Sequence, residues 1–238
     1  MKKMILSAAV LALTAGASFA DTVRMGTEGA YPPYNFINDD GEVAGFEREV
    51  GDALCGIAEL TCEWVTNEWD TIIPNLLSGN YDTIIAGMSI TDERDEVIDF
   101  TSDYYPPTAS AYAAMSGDVD VMGGVIAAQT STIQAGHVAT TGATLVEFAT
   151  LDDTIAAVKN GEVDAVFADK DALAPFVAEQ GFTFLGDDVP LGDGIGMGLR
   201  ESDTELKAKF NAAIDVMKAD GSLNALLIKY FGAETATY

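Results

Sequence analysis

Short apolar segments alternate with amphipathic segments along almost the whole chain, and this alternation constrains the fold more than any other feature. Between residues 50 and 58, Val50, Leu54 and Ile57 recur at helical spacing and form one apolar face. The other predicted helices are 69–77, 151–160, 169–179, 203–220 and 222–231. The predicted strands are 23–27, 62–66, 81–86, 124–128, 143–148, 165–168 and 195–199. Alternation of this kind favours parallel sheets whose strands are connected by helices.

The predicted elements fall into two α/β sets. Two loop-rich stretches, residues 104–120 and 186–194, interrupt the pattern and are candidates for connections between two lobes. The sequence shows no internal repeat and no low-complexity tract. We therefore expect two α/β lobes that share one chain.

The amino terminus predicts export. Lys2 and Lys3 precede an apolar run over residues 5–15, and small residues follow up to Ala20. This pattern is typical of a secretory signal peptide cleaved after Ala20. A retained membrane anchor is the alternative, but the apolar run is short for a bilayer span. No cysteine follows the predicted cleavage site, so we expect no lipid anchor and a soluble exported protein.

The charge balance excludes one large class of partners. Once Lys2 and Lys3 are removed, 10 of the 12 basic residues remain against 38 acidic ones, a formal net charge of −28. A chain this acidic is repelled by nucleic acid and by anionic lipid. We therefore expect neither as a partner.

Two cysteines, Cys55 and Cys62, lie where a predicted helix ends and the next strand begins. In an exported protein this arrangement favours a local structural disulfide. A metal site would need further ligands, and the single histidine, His137, is distant in sequence. We expect no metal and no cofactor.

A polar run follows the predicted strand 81–86 and can form a seat for a carboxylate. Ser89 supplies a hydroxyl, Thr91 can cap the next helix, and Arg94 lies one turn into that helix. An arginine held in this way, beside free backbone N–H groups near Gly87, suits bidentate pairing with a carboxylate. The alternative is a solvated Arg94 that pairs with a neighbouring acid such as Glu93.

These motifs, with several others, carry a resemblance to a known family. The motifs are Thr27-Glu28-Gly29-Ala30-Tyr31-Pro32-Pro33-Tyr34, Gly45-Phe46-Glu47, Ile73-Pro74-Asn75-Leu76, the segment 86–94, Asp99-Phe100-Thr101, Gly198-Leu199-Arg200 and Asp220-Gly221-Ser222. Together they resemble the periplasmic polar amino-acid binding proteins of ABC importers, particularly the arginine and lysine/arginine/ornithine binders. The cysteine spacing also matches a disulfide of that family.

The resemblance implies the type II periplasmic binding protein fold, with two lobes, each a mixed sheet flanked by helices, and two crossing hinge strands. Lobe 1 would comprise residues 21–109 and 198–238, and lobe 2 residues 110–197. The ligand would be a small amino acid held in the cleft, and a membrane-embedded ABC permease would be the protein partner. We expect a periplasmic monomer.

The resemblance also implies nine ligand-binding residues, which are Glu28, Tyr31, Trp69, Ala86, Gly87, Ser89, Arg94, Thr132 and Asp169. Tyr31 and Trp69 would sandwich the ligand side chain. The family usually has a Gly-Thr-Thr or Gly-Thr-Gly turn in lobe 2, where this chain has Gln129-Thr130-Ser131-Thr132-Ile133. We include Thr132 in the set and leave Ile133 out.

The charged members would divide the work at the ligand. Arg94, with Ser89 and the backbone near Gly87, would hold the α-carboxylate. Asp169 would take the α-ammonium group, although it could instead simply cap a helix. Glu28 would meet a basic side-chain head. Two acids and one base leave the site at −1, which favours a cationic amino acid, with arginine first and lysine, ornithine or histidine next.

Other functions stay open at this point. The same scaffold is used by periplasmic cyclohexadienyl dehydratase, in which case Glu28 or Asp169 could act as a general acid. Other polar amino acids or opines are alternative ligands. A sensor domain of a membrane receptor is a third class, and the lack of any transmembrane segment after the signal peptide weighs against it.

Overall fold

The computed structural model describes residues 22–238, so the predicted signal peptide lies outside the described residues. The strands are β1 Val23–Thr27, β2 Ala30–Tyr31, β3 Asn35–Ile37, β4 Val43–Ala44, β5 Cys62–Thr66, β6 Thr83–Ile84, β7 Asp99–Phe100, β8 Ala109–Ala114, β9 Val125–Gln129, β10 Thr144–Phe148, β11 Ala165–Asp169, β12 Thr183–Pro190 and β13 Gly198–Leu199. The helices are α1 Phe46–Ile57, α2 Ile72–Leu77, α3 Asp92–Asp95, α4 Ile133–Ala139, α5 Leu151–Asn160, α6 Lys170–Glu179, α7 Thr204–Asp220 and α8 Ser222–Phe231, and a 3₁₀ turn at Trp69–Thr71 precedes α2.

The first sheet has the strand order β5-β1-β6-β13-β7. Strand β1 pairs in parallel with β5 and β6, whereas β13 runs antiparallel to its neighbours. Helix α1 buries Phe46, Val50 and Leu54 completely, as its apolar spacing predicts. A small antiparallel sheet, β2-β3-β4, carries the loop that follows β1. We refer to this half of the molecule as lobe 1.

The second sheet has the order β10-β9-β11-β8-β12 and defines lobe 2. Strands β10, β9 and β11 are parallel, and β8 and β12 are antiparallel additions. Both sheets are therefore mixed and flanked by helices, as the resemblance implies, and not purely parallel as the alternation alone favours.

Each of the two stretches expected to be loop-rich contains all or part of a strand that the sequence did not predict, and the rest of each stretch lies outside strands. Strand β8 is almost entirely buried but consists largely of alanine, a residue with low strand propensity. Strand β12 contains Gly186 and ends at Pro190, and its register shifts between Leu185 and Val189. Glycine and proline are tolerated there because β12 is an edge strand.

The chain crosses between the lobes twice, through residues 101–108 and 191–197. The two crossing segments lie side by side. The Tyr104 N–H donates to the Ile195 carbonyl at 2.8 Å, and the Ile195 N–H donates to the Tyr105 carbonyl at 3.0 Å. The predicted lobe boundaries, 109/110 and 197/198, fall at the start of β8 and directly before β13.

The predicted disulfide is confirmed: Cys55 and Cys62 are bonded, with their Cα atoms 6.3 Å apart. The bond joins the last turn of α1 to the first residue of β5. Within residues 22–238, no helix combines the length and the apolar character needed to cross a bilayer.

Candidate ligand-binding site

A cavity of about 20 Å³ lies between the two lobes. All nine residues predicted to bind ligand line it, and three further residues complete its wall. The full lining is Glu28, Tyr31, Trp69, Ala86, Gly87, Ser89, Arg94, Gln129, Thr132, Ile133, Gln134 and Asp169. The structure thus brings the predicted set together in space, and the contribution of each residue to binding stays a prediction.

Arg94 is held by lobe 1 alone. Helix α3 begins after Thr91, whose hydroxyl accepts a hydrogen bond from the Arg94 N–H at 3.2 Å. The Arg94 Nη1 donates to the Ser89 carbonyl at 2.8 Å, and the Arg94 guanidinium carbon lies 5.4 Å from the centroid of the Trp69 ring. Burial lowers the pKa of Arg94 to about 10, so the group stays cationic at neutral pH.

Among residues 22–238, no carboxylate forms an ion pair with Arg94. The alternative of a solvated Arg94 paired with Glu93 is therefore not observed. A half-buried guanidinium with spare donors, facing a cavity, can accept a carboxylate from outside the chain.

Gly87 departs from the prediction. Its N–H does not stay free for an anion but donates to Oε1 of Glu47 at 2.6 Å. The residue has a φ of +63°, and a Cβ there would lie 3.4 Å from the Tyr31 ring. Glycine is thus favoured by the left-handed turn, whereas a Cβ would make only ordinary contact with Tyr31. The Gly87 N–H is thus not one of the free N–H groups expected in this loop, and the contribution of the backbone near Ala86 and Gly87 stays a prediction.

Asp169 is the last residue of β11 and is 8% exposed. Its Oδ2 accepts from the Tyr31 hydroxyl at 2.7 Å, and its Oδ1 accepts from Gln134 Nε2 at 2.8 Å. The carboxylate makes no capping bond to α6, so the simple capping role is not observed. Burial raises the pKa of Asp169 to about 6.

Glu28 follows β1 and lies partly buried in the wall of the cavity. Its Oε1 accepts from Gln129 Nε2 at 2.6 Å, and the same amide also donates to the Ala149 carbonyl at 2.9 Å. Burial raises the pKa of Glu28 to about 7. The group is therefore an acid near neutrality that an incoming cation would ionise.

The aromatic residues Tyr31 and Trp69 are each 8% exposed and form part of the cavity wall. Both reach the opposite lobe: Trp69 Nε1 donates to the Ser131 carbonyl at 3.3 Å, and Tyr31 bonds to Asp169. The lobes therefore lie closed against each other in this structure.

Thr132 begins α4, a helix that the sequence did not predict. Its hydroxyl accepts from the Ala135 N–H at 3.1 Å and donates to the Gln129 carbonyl at 2.7 Å. The side chain lines the cavity while its hydrogen bonds serve lobe 2. Ile133, which the sequence left out, lines the cavity as well.

Gln129 and Gln134 were missed by sequence reasoning. The sequence offered one signal, for Gln129: this glutamine directly follows the predicted apolar strand 124–128 and precedes a Thr-Ser-Thr turn. A buried glutamine needs partners for its amide, and both residues find them in the site carboxylates.

The cavity holds one cationic side chain and two acidic ones. Among the described residues, no group of histidine, cysteine or acidic side chains is arranged to bind a metal ion. The arrangement can bind a zwitterion and, with the second carboxylate, one additional positive charge.

Two α/β lobes joined by two crossing segments, with a charged cavity between them, define a type II periplasmic binding protein. The model of the family "Bacterial extracellular solute-binding proteins, family 3" matches residues 23–233, and the chain belongs to that family.

Relatives of known name agree with this assignment. The L-arginine-binding protein of Pseudomonas aeruginosa is 34% identical over 97% of both chains. The lysine/arginine/ornithine-binding periplasmic protein of Escherichia coli is 32% identical over 97% of both chains. The crystal structure of a periplasmic His/Glu/Gln/Arg/opine family-binding protein from Silicibacter pomeroyi in complex with lysine is 71% identical, with a TM-score of 0.89, over 91% of this chain and 100% of that chain.

Proposed function

We propose that this protein is the extracytoplasmic solute-binding component of an ABC importer and that it captures amino acids with a cationic side chain, L-arginine or L-lysine. The observation that carries the proposal is the charge of the cavity: one guanidinium and two carboxylates, none of them ion-paired among residues 22–238. A neutral amino acid would leave one buried carboxylate without a cation, which is costly.

The proposed roles are those that the family resemblance implies, and they are supported by the shared cavity that these residues line. The Arg94 guanidinium receives the α-carboxylate, and Asp169 receives the α-ammonium group. Glu28 receives the side-chain cation, which lies between Tyr31 and Trp69 where cation–π attraction adds to binding. The relatives support both ligands, because an L-arginine-binding protein is 34% identical and a protein 71% identical was crystallised with lysine.

Calorimetric titration of residues 21–238 tests the proposal with arginine, lysine, ornithine, histidine, glutamine and glutamate. We expect arginine or lysine to bind at least about tenfold more tightly than glutamine, a difference of about 1.4 kcal/mol. Tighter binding of glutamine or glutamate would contradict the cationic ligand.

The lobes, divided at 109/110 and 197/198, are proposed to close on the ligand about the two crossing segments. The polar contacts of the cavity are split between lobes, so a ligand that touches both favours the closed form. Small-angle scattering should show a smaller radius of gyration with saturating arginine. Identical curves would argue against closure.

The enzymatic alternative rests on Glu28, whose pKa of about 7 suits a general acid. We propose that the protein has no such activity, because the acid is held by Gln129 beside aromatic walls that suit a flat cation. Incubation with prephenate and arogenate tests this. Product formation that depends on Glu28 would establish the alternative.

The remaining expectations are proposals of the same kind. The protein acts as a periplasmic monomer after cleavage behind Ala20 and delivers its ligand to a membrane permease. Amino-terminal sequencing of the exported protein and light scattering of the purified protein test the cleavage site and the monomer.

A further inference from the structure

Glu47 is a buried acid that lies behind the cavity and does not line it. It belongs to the first turn of α1 and is 0% exposed. Its Oε1 accepts from the Gly87 N–H at 2.6 Å and from the Tyr104 hydroxyl, and its Oε2 accepts from Asn35 Nδ2 at 2.7 Å. No ion pair to Glu47 occurs within the described part of the chain.

These bonds connect three parts of the molecule that must move or stay in register for binding. Gly87 lies between Ala86 and Ser89 on the carboxylate side of the cavity. Tyr104 belongs to the crossing segment 101–108. Asn35 extends the connection, because its Oδ1 accepts from the Gly29 N–H at 2.7 Å, one residue after Glu28.

The direction of the hydrogen bonds explains why an acid occupies this position. Asn35 must present its oxygen to Gly29, so its amide nitrogen points at Glu47. The Gly87 N–H points at the other oxygen of Glu47. Both are fixed donors, and an ionised carboxylate is the side chain that only accepts. Burial raises the pKa of Glu47, and these charge-assisted bonds oppose that cost.

We propose that Glu47 is a positioning residue of the ligand site: it holds the loops that carry Glu28 and Gly87 in register with the crossing segment at Tyr104, so that ligand affinity depends on it without contact to the ligand. The inference rests on the proposed function, since it concerns the same cavity.

The first test is Glu47→Gln, which keeps the volume and removes one acceptor. The new amide must face a donor, either Asn35 Nδ2 or the Gly87 N–H, unless Asn35 turns and loses Gly29. We expect arginine affinity to fall by about tenfold or more, as for loss of a buried hydrogen bond to a charged group. Calorimetry is done at a temperature where circular dichroism shows both proteins folded.

The matched variant is Asn35→Asp combined with Glu47→Gln. It has the charge and nearly the volume of the wild type, and it restores every donor–acceptor pair: residue 35 accepts from Gly29 and from residue 47, which accepts from Gly87 and Tyr104. We expect its arginine affinity to return to within about threefold of the wild type, because the polarity of the network is restored. Asn35→Asp alone sets two carboxylates against each other and should bind poorly.

Three outcomes overturn the inference: wild-type affinity in folded Glu47→Gln, a double variant that folds but binds no better than Glu47→Gln, and losses of affinity that merely follow the melting temperatures. If Glu47→Gln does not fold, Tyr104→Phe decides, because it removes only the link to the crossing segment. There we expect some loss of stability and about threefold weaker binding at a temperature where both proteins are folded, and unchanged affinity overturns the inference. A wild type that binds no amino acid refutes the proposed function instead.

Discussion

Arg94 and the two acids of the cavity are held in different ways. We call Arg94 with its loop the cationic end, and Glu28 with its partner Gln129 the acidic end. Arg94 is fixed entirely within lobe 1, through the Thr91 cap and the Ser89 carbonyl. Each acidic group instead accepts a hydrogen bond from across the cleft. Glu28 of lobe 1 is held by Gln129 of lobe 2, and Asp169 of lobe 2 by Tyr31 of lobe 1.

Because of this difference, we expect Arg94 and Glu28 to act on different parts of the ligand. The hydrogen bonds of Arg94 lie within lobe 1, so the proposed carboxylate site does not depend on lobe 2, and any α-amino acid would use it. The acidic end depends on closure and would distinguish ligands by the charge of their side chain, whereas Asp169 would meet the α-ammonium group that every amino acid carries. We therefore expect changes at Arg94 to weaken all amino acids alike, and changes at Glu28 to act on cationic ligands only.

The largest expected effect is that of Arg94→Ala. Removal of the one cationic partner should weaken arginine by well over about a hundredfold, because a desolvated carboxylate would stay unpaired. Glutamine binding should fall by a similar factor. Arg94→Lys should also bind poorly, since an ammonium group cannot reproduce the planar fork. Calorimetry on folded protein makes the comparison.

Arg48→Ala is the matched control for Arg94. It removes the same charge from an exposed pair with Asp52 and should leave affinity within about twofold. Unchanged arginine affinity in folded Arg94→Ala would show that Arg94 does not bind the ligand.

Glu28→Gln should show the selectivity of the acidic end. We expect arginine affinity to fall by about tenfold to a hundredfold, because the side-chain cation loses its partner, and glutamine affinity to change by less than about threefold. Glu205→Gln, on the exposed surface of α7, controls for net charge. Equal losses for arginine and glutamine would erase the distinction between the two ends.

The pH dependence of arginine affinity also tests the acidic end, and the expected change in affinity is smaller than those of the substitutions. Glu28 and Asp169 have pKa values of about 7 and 6, so protons compete with a cationic ligand below neutrality. Arginine affinity should fall by about tenfold from pH 8 to pH 6, since most of Glu28 is then protonated. Glutamine should change little, and Glu28→Gln should flatten the arginine curve. An arginine affinity of the wild type that does not change between pH 8 and pH 6 would contradict the proposed role of Glu28.

The same acids set the pH dependence of the ligand-free protein. Burial raises both pKa values above those of the unfolded chain, so the folded state binds more protons. Stability should therefore fall as the pH rises through about 7. Thermal melts without ligand between pH 5 and pH 8 measure this.

Local sequence patterns predicted many of the helices and strands. Elements that depend on long-range strand pairing were not predicted. Strand β5 and helices α5 and α8 have the bounds that their apolar spacing and flanking glycines predict. Strand β8 was missed because buried alanines carry no alternation of polar and apolar residues.

The candidate site divides in a similar way. The nine residues identified through the resemblance line one cavity, because the motifs lie at strand ends that the sheets bring together. Which group bonds to which could not be predicted: the donors that reach Glu28 and Asp169 from the opposite lobe are 101 and 138 residues away in sequence. Such partners depend on how the lobes meet, which one sequence does not show.

The smallest expected effect on binding is that of removing the Cys55–Cys62 disulfide. This variant serves as a reference for the substitutions at Arg94 and Glu28, because it should lower stability without changing the cavity. Neither cysteine lines the cavity, so both ends should stay intact in the double Cys→Ser variant, with arginine affinity within about twofold of the wild type. Stability should still fall. A loop closed over 7 positions predicts a loss of about 2–3 kcal/mol of unfolding free energy, because the unfolded chain regains the freedom that the bond removes. Urea unfolding of the two proteins measures the loss. A large change in affinity at full folding would mean that α1, which carries both Cys55 and Glu47, transmits strain to the cavity, and the cationic end would then depend on more than its own loop.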